Sequence, residues 1–225
     1  EAEYAALLAT EPLSPPASDP QALAWLFYTS GTTGRSKGAM LSHRNLLAME
    51  IAHLADIEVM SENTSQIHVA PMSHGSGLYI LPSVARGARQ VVPASGGFDP
   101  VEFLDLCDQH PSCGSFLAPT MVQRLRLTVE SGKRGASKNL RCIVYGGGPM
   151  YVDELRKSTV ALGPVFAQIY GQGESPMTIT GLDRAGHAID DDSILGSVGW
   201  PRSGVEVRVI GPDGAAVPAG AVGEI

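Results

Sequence analysis

Short apolar runs alternate with amphipathic stretches along most of this 225-residue chain. The run from Ala24 to Tyr28 predicts a strand. A loop rich in Gly, Ser and Thr follows, then a helix from His43 to about Leu54. Further apolar runs predict strands from Ile67 to Ala70, Gln90 to Val92, Ser115 to Leu117, Leu140 to Tyr145 and Val165 to Tyr170. Between them, amphipathic stretches predict helices from about Asp99 to Gln109, from Pro119 onward, and from about Val152 to Leu162. Pro100 suits the first turn of its helix, where a missing N–H costs nothing. Alternating strands and helices predict an α/β fold, a largely parallel sheet flanked by helices. The C-terminal end differs. Val205-Glu-Val-Arg-Val-Ile210 alternates strictly, as a half-buried strand does, and Gly211-Pro-Asp-Gly214 predicts a turn after it.

Composition narrows this picture. The chain is 44% hydrophobic and only 17% charged, which suits a packed core rather than disorder. Its formal charge of −7 argues against nucleic acid, whose phosphate backbone needs a basic face. The same charge tolerates a nucleotide, because local N–H groups and one or two cations can bind phosphate. Cys107, Cys113 and Cys142 lack the spacing of a disulfide framework or zinc site, so a reducing cytoplasmic setting is expected. No apolar run approaches the roughly 20 residues of a membrane span. Pro12, Pro15 and Pro16 with Ser14 and Ser18 give residues 1–22 the composition of a linker or a remnant of a preceding segment. The ends, at Glu1 and at Gly223-Glu224-Ile225, read as cut from a longer protein.

The strongest chemical signal is Tyr28-Thr-Ser-Gly-Thr-Thr-Gly-Arg-Ser-Lys-Gly38. It follows a predicted strand and offers the hydroxyls of Thr29, Ser30, Thr32 and Thr33. Gly31, Gly34 and Gly38 free the backbone to turn successive N–H groups toward one anion. Lys37 adds a point charge. These are groups suited to a polyphosphate. A plain surface loop is the bland alternative. A P-loop fails on spacing, since Ser36 precedes Lys37 and Gly38 follows it. Gly34-Arg-Ser-Lys-Gly38 also fits the G-x-S-x-G nucleophile elbow of an α/β-hydrolase, with Ser36 as nucleophile and Asp183 and His187 downstream. Its oxyanion loop belongs upstream, whereas the nearest match, His74-Gly-Ser-Gly77, lies downstream.

The whole eleven-residue run resembles the signature of the adenylate-forming superfamily, with Ser36 in place of the usual Pro. Gly38-Ala-Met-Leu-Ser-His-Arg-Asn45 continues the resemblance. Further segments follow in order: Ala70-Pro-Met-Ser-His-Gly-Ser-Gly77, Ala118-Pro-Thr-Met121, Tyr145-Gly-Gly-Gly-Pro149 with Gly148 for the usual Ala, and Gln168-Ile-Tyr-Gly-Gln-Gly-Glu174 with Gly173 for the usual Thr. Gly196-Ser-Val-Gly-Trp-Pro201 and Gly204 to Ile210 complete the series. Acyl-CoA synthetases are the members this chain resembles most.

The resemblance implies that a carboxylic acid attacks the α-phosphate of ATP, with Mg²⁺ present, and that coenzyme A then takes the acyl group. Thr29, Ser30, Gly31, Thr32, Thr33, Gly34 and Lys37 would grip the outer phosphates. Gly146, Gly147, Gly148, Pro149 and Tyr170 would form the adenine slot, with Tyr170 stacking on the base. Gln168, Gly171, Gln172 and Gly173 would complete the nucleotide contacts. Glu174 would bind Mg²⁺, and His74 would stand as a gate beside the acyl site; both are expected to serve catalysis. Met72, Leu78 and Met121 are candidate lining for the acid. Residues 23–200 would then be the nucleotide-binding α/β part of an AMP-binding core, and 201–225 the start of a truncated β subdomain. The ribose-binding Asp and the lid Lys of the family fall outside these residues, so the fragment alone is expected to be inactive. A nucleotide-binding module without chemistry is the remaining alternative. The identity of the acid and the oligomeric state are not legible.

Overall fold

A computed structural model describes residues 5–6, 8–11, 14, 19–29 and 36–225. Strands β1 (Leu23–Thr29) and β2 (Lys37–Ser42) form an antiparallel hairpin. Helix α1 (His43–Asp56) follows directly. Its start explains part of the sequence signature locally. Ser42 Oγ accepts the Asn45 N–H, and Asn45 Oδ1 accepts the Ser42 N–H, a reciprocal cap on two otherwise orphaned donors.

A second sheet holds seven strands in the order β4-β3-β5-β6-β7-β8-β9. These are β3 (Ser65–Ile67), β4 (Arg89–Val91), β5 (Cys113–Leu117), β6 (Leu140–Tyr145), β7 (Phe166–Gln172), β8 (Ser175–Leu182) and β9 (Trp200–Pro201). The pairings from β4 through β7 are parallel, and β8 and β9 add antiparallel partners at one edge. The crossovers carry α2 (Ile80–Ala85), α3 (Pro100–Gln109), α4 (Pro119–Glu130) and α5 (Val152–Leu162). Short helices α6 (Arg184–His187) and α7 (Asp192–Leu195) follow β8. This is the expected α/β fold with a largely parallel sheet.

Both faces of the sheet are covered, so its strands are apolar on alternate sides. On one face, Ile143, Tyr145 and Phe166 pack with Phe103 and Leu104 of α3, Leu125 of α4 and Leu155 of α5. On the other, Val144, Ala167 and Ile169 pack with Phe27 and Leu41 of the hairpin and Met49 of α1. That second layer brings the hairpin, and with it the ends of the Gly/Ser/Thr loop, against the sheet. Helix α3 is capped by Asp99, whose Oδ1 accepts the N–H groups of Val101 and Glu102 at 2.8 and 2.9 Å.

The structure departs from the sequence reading at several places. Val205 to Ile210 is not a strand. Only Ile210 makes isolated antiparallel bridges, to Ala216 and Glu224, because alternation without a continuous partner gives no ladder. The turn does form, with Gly214 N–H donating to the Gly211 carbonyl at 2.9 Å. Strand β3 begins earlier than the apolar run suggested and includes the buried polar residues Ser65 and Gln66. Strands β2, β8 and β9 had no prediction.

Candidate functional site

The parallel strands β6 and β7 end side by side in two glycine turns. After β6, Gly146 is buried and Gly147 takes φ +77°. A Cβ on Gly146 would stand 2.6 Å from the Ile169 carbonyl oxygen, so the backbone of β7 passes too close for any side chain. After Tyr170 the β7–β8 ladder shifts register, and a Cβ on Gly171 would stand 2.3 Å from the Met177 nitrogen. The opposing Met177 accepts a positive φ of 48°. Turns at the C-terminal ends of parallel strands in an open sheet are where such folds bind ligands.

One pocket of about 230 Å³ opens at these turns. Gly147, Gly171, Gln172, Gly173 and His74 contribute to its wall. The structure thus brings together five residues singled out in the sequence. His74 precedes the 3-10 turn Gly75–Tyr79, and its ring centroid lies 4.9 Å from that of Phe27. The turn is fixed from behind by His68, whose Nδ1 is 2.9 Å from Ser76 Oγ and whose Nε2 is 3.2 Å from Gln90 Oε1. Burial pushes the His68 pKa below the ordinary imidazole value, so the ring is held neutral between its two partners.

The other sequence candidates are placed less uniformly. Tyr170 is half-buried, and its hydroxyl accepts from Gln172 Nε2 at 3.3 Å. Gln168 is buried within β7, and its Oε1 has no protein hydrogen-bond partner. Gly148 and Pro149 are exposed; Gly148 lies by the first residue of α4, with Pro119 Cδ 3.9 Å from where its Cβ would be. Glu174 is exposed in the β7–β8 turn and faces a neighbouring groove with Asn45, Ser175 and Ser203. Among the described residues no cluster of three or more His, Cys, Asp or Glu could hold a metal by itself. Thr29 and Lys37 end β1 and begin β2, while Ser30, Gly31, Thr32, Thr33 and Gly34 lie outside the described residues. Of the proposed acid-lining residues, Leu78 lines the pocket, whereas Met121 packs into the core beside α3, α4 and α5 on the other face. Met72 is 38% exposed and does not contribute to the wall.

Sequence reasoning missed most of the apolar wall: Phe27, Tyr79, Phe116, Ile169 and Met177. They come from five separate elements. The available signal was proximity to motifs, since Phe116 precedes Ala118-Pro119 and Tyr79 follows His74.

The family model described as AMP-binding enzyme matches residues 1–225. The chain belongs to the AMP-binding enzymes. This AMP-binding chain is 32% identical over 206 residues to the medium/long-chain fatty acid–CoA ligase FadD8 of Mycobacterium tuberculosis, covering 92% of the chain and 35% of that ligase. It is 34% identical over 202 residues to a feruloyl-CoA synthase of Amycolatopsis, covering 89% and 39%. Among solved structures, ATP-bound MatB of Rhodopseudomonas palustris superimposes with a TM-score of 0.77 at 29% identity, covering 98% of this chain and 42% of MatB. The AMP complex of O-succinylbenzoate coenzyme A synthetase from Bacillus subtilis gives 0.77 at 25% identity, covering 91% and 40%. The chain therefore spans about two fifths or less of the length of these relatives.

The geometry of this AMP-binding chain does not favour the hydrolase reading. A nucleophile elbow leads from a strand into a helix, yet Ser36 leads into strand β2. The supposed partners are engaged elsewhere. His187 Nε2 is 2.9 Å from the Tyr145 hydroxyl and Nδ1 is 2.7 Å from the Asp183 carbonyl oxygen. The Asp183 carboxylate accepts the Gly186 N–H at 2.8 Å, capping α6 rather than orienting an imidazole.

Proposed function

We propose that this chain forms the nucleotide- and acid-binding part of an AMP-forming acid–CoA ligase. The observation that carries this reading is the convergence of His74, Gly147 and the Gly171–Gly173 turn on one pocket at the C-terminal ends of β6 and β7. A carboxylate oxygen attacks the α-phosphorus of ATP, and pyrophosphate leaves. The thiolate of coenzyme A then attacks the acyl carbonyl, and AMP leaves. Both steps develop negative charge, so the protein's work is to position and stabilise rather than to supply a nucleophile. The backbone of Gly147 and Gly148, exposed after β6, and the unpartnered Gln168 Oε1 would offer both kinds of hydrogen-bonding group to a base. Tyr170 supplies a stacking face. The Thr29–Lys37 hairpin loop holds the outer phosphates.

Glu174 is the residue that would hold Mg²⁺. A single exposed carboxylate fits that ion, which usually keeps several waters and binds through one or two carboxylates together with substrate phosphates. When bound, the ion supplies neutralising charge to the phosphates. The acid is a fatty or aryl acid, and the setting a reducing cytoplasm in which Cys107, Cys113 and Cys142 remain free.

The test is acid-dependent exchange of labelled pyrophosphate into ATP by the full-length protein. Exchange that appears only with a carboxylic acid supports the proposal. Ester cleavage without ATP would replace it with the hydrolase reading. Nucleotide binding without exchange under any acid would leave a binding module. These 225 residues by themselves are expected to exchange little, since the family's ribose-binding Asp and lid Lys fall outside them.

A further inference from the structure

Resting on that acid-activating reading, we infer that the pocket takes a neutral, apolar-tailed acid about one aromatic ring or one medium-length chain long, with Phe116 setting the length limit. The wall is largely apolar. Phe27, Leu78, Ile169 and Met177 are each buried, and all belong to the packed layer between the hairpin and the sheet. Among the described residues that line the pocket, none is Lys, Arg, Asp or Glu. A second carboxylate or a sulfonate on the acid's tail would therefore be taken out of water with no Lys or Arg of the described wall to meet it, which is strongly unfavourable.

Two stacked rings form the wall on the β5 side. Phe116 and Tyr79 stack with centroids 5.5 Å apart and planes 23° from parallel. Tyr79 is 1% exposed and cannot swing into solvent. Phe116 is pressed against Gly75, where an added Cβ would stand 2.7 Å from its Cε1. Gly171 to Gly173, where the nucleotide is proposed to lie, line the opposite part of the wall. Phe116 sits on β5 and that turn on β7, with β6 between them. Two strand spacings put them about 10 Å apart across the sheet. The carboxylate thus faces the glycine turn and the tail runs across β6 toward Phe116.

Volume gives the same limit. An apolar cavity of about 150 Å³ accommodates benzene. The pocket here is about 230 Å³, enough for one ring and a short linker or for a chain of similar bulk.

The experiment measures kcat/KM in pyrophosphate exchange by the full-length protein across a graded set of acids: propanoate, hexanoate, octanoate, dodecanoate, hexadecanoate, benzoate, 3-phenylpropenoate, malonate and succinate. Hexanoate, octanoate or one of the aryl acids is expected to lead, with hexadecanoate at least tenfold and malonate at least a hundredfold lower. Phe116→Ala is expected to raise dodecanoate at least tenfold relative to hexanoate. Phe116→Leu, which keeps an apolar side chain, is expected to move the profile the same way by less. Gly75→Ala fills the pocket and displaces the ring, so it should move the optimum toward shorter acids. A wild-type protein that prefers malonate or hexadecanoate overturns the inference while leaving acid activation standing. So does a chain-length profile unchanged in well-folded Phe116→Leu. No exchange with any acid overturns the acid-activating reading itself, and the inference with it.

Discussion

Thr29 and Lys37 are register partners, the last pair before the loop of the β1–β2 hairpin. Backbone pairing therefore holds the two ends of the Gly/Ser/Thr loop roughly 5 Å apart, the separation of facing residues in an antiparallel ladder. Lys37 is exposed at that pair and borders the loop proposed above to hold the outer phosphates. A hydrogen bond to a charged group contributes about 1.5–3 kcal/mol, so Lys37→Met should raise the KM for ATP about tenfold or more. The KM for the acid should stay within about twofold. Thr33→Val should act in the same direction with a smaller effect. Steady-state kinetics with each substrate varied in turn checks this; an equal rise in both constants would remove the phosphate role from the loop.

The two glycines around Gly147 should respond in opposite ways to the same substitution. At Gly146 a methyl group meets the Ile169 carbonyl at 2.6 Å and Ile169 Cδ1 at 2.7 Å. Gly146→Ala must part β6 from β7, with a cost of about 1–3 kcal/mol for overpacking. At Gly148 the nearest heavy atoms are Pro119 Cδ and Cγ at 3.9 Å, ordinary contact. Gly148→Ala should leave the melting temperature unchanged or raise it slightly, because it restricts the unfolded chain. Thermal melts of the two variants side by side would show it. Equal destabilisation would mean the turn is held differently.

Acid should weaken the fold from just below neutral pH. Burial lowers the pKa of both His68 and His187 below the ordinary 6.5. The unfolded chain takes up protons near that value while the folded rings stay neutral, engaged by Ser76 and Gln90 and by Tyr145 and Asp183. Their contribution is fully present above about pH 6.5 and is lost as pH falls through the lower folded values. Urea unfolding between pH 7.5 and 5 should show a falling midpoint, and His187→Gln should flatten the fall. A midpoint that does not move over this range refutes the assignment.

The parallel strands were legible because burial on both faces makes them continuous apolar runs, as in Leu140 to Tyr145. Helices α3 and α4 announced themselves through Asp99-Pro100 and Pro119. The glycine turns stood out for the opposite reason: residues with no side chain cluster where backbones approach, as Gly146 does to Ile169. What stayed hidden depended on tertiary partners. β2 exists because β1 pairs with it, and Val205 to Ile210 fails as a strand for want of a ladder. Phe116 and Tyr79 read as ordinary core residues, and only their stacking across elements makes them one wall of a pocket.

Glu174 stands in the β7–β8 turn with an exposed carboxylate, beside the turn that opens on the pocket. Glu174→Gln keeps the shape and removes the charge. A neutral amide is a poor Mg²⁺ ligand, so adenylation should fall about ten- to a hundredfold, and saturation should demand more Mg²⁺. The melting temperature should hardly change, since exposed substitutions are usually within about 0.5 kcal/mol. Titrating Mg²⁺ at fixed ATP checks the point. A variant with near-normal rate at limiting Mg²⁺ would show that another group holds the ion.

Gly173, like Ser36 and Gly148, departs from the family pattern this sequence resembles, which usually has Thr at that position. It lines the pocket beside Gly171 and Gln172, so the missing hydroxyl falls where the nucleotide is proposed to lie. The backbone does not demand glycine: the positive-φ glycines among the described residues do not include Gly173. Gly173→Ala should therefore fold normally and report the steric effect of one methyl group. Gly173→Thr adds the hydroxyl to that. If the α-phosphate is already served by a backbone N–H or an ordered water, the Thr variant should match the Ala variant within about threefold, because a bridging water replaces a direct bond at small cost. That is the expected outcome, since Tyr170, Gly171 and Glu174 all keep the family pattern around the gap. If the donor is lacking altogether, restoring it is worth about 1.5–3 kcal/mol, a rate gain of roughly tenfold or more over the Ala variant. Single-turnover adenylation rates of the three proteins separate the two cases, and a tenfold gain in Gly173→Thr alone would mark the natural enzyme as one working without its α-phosphate donor.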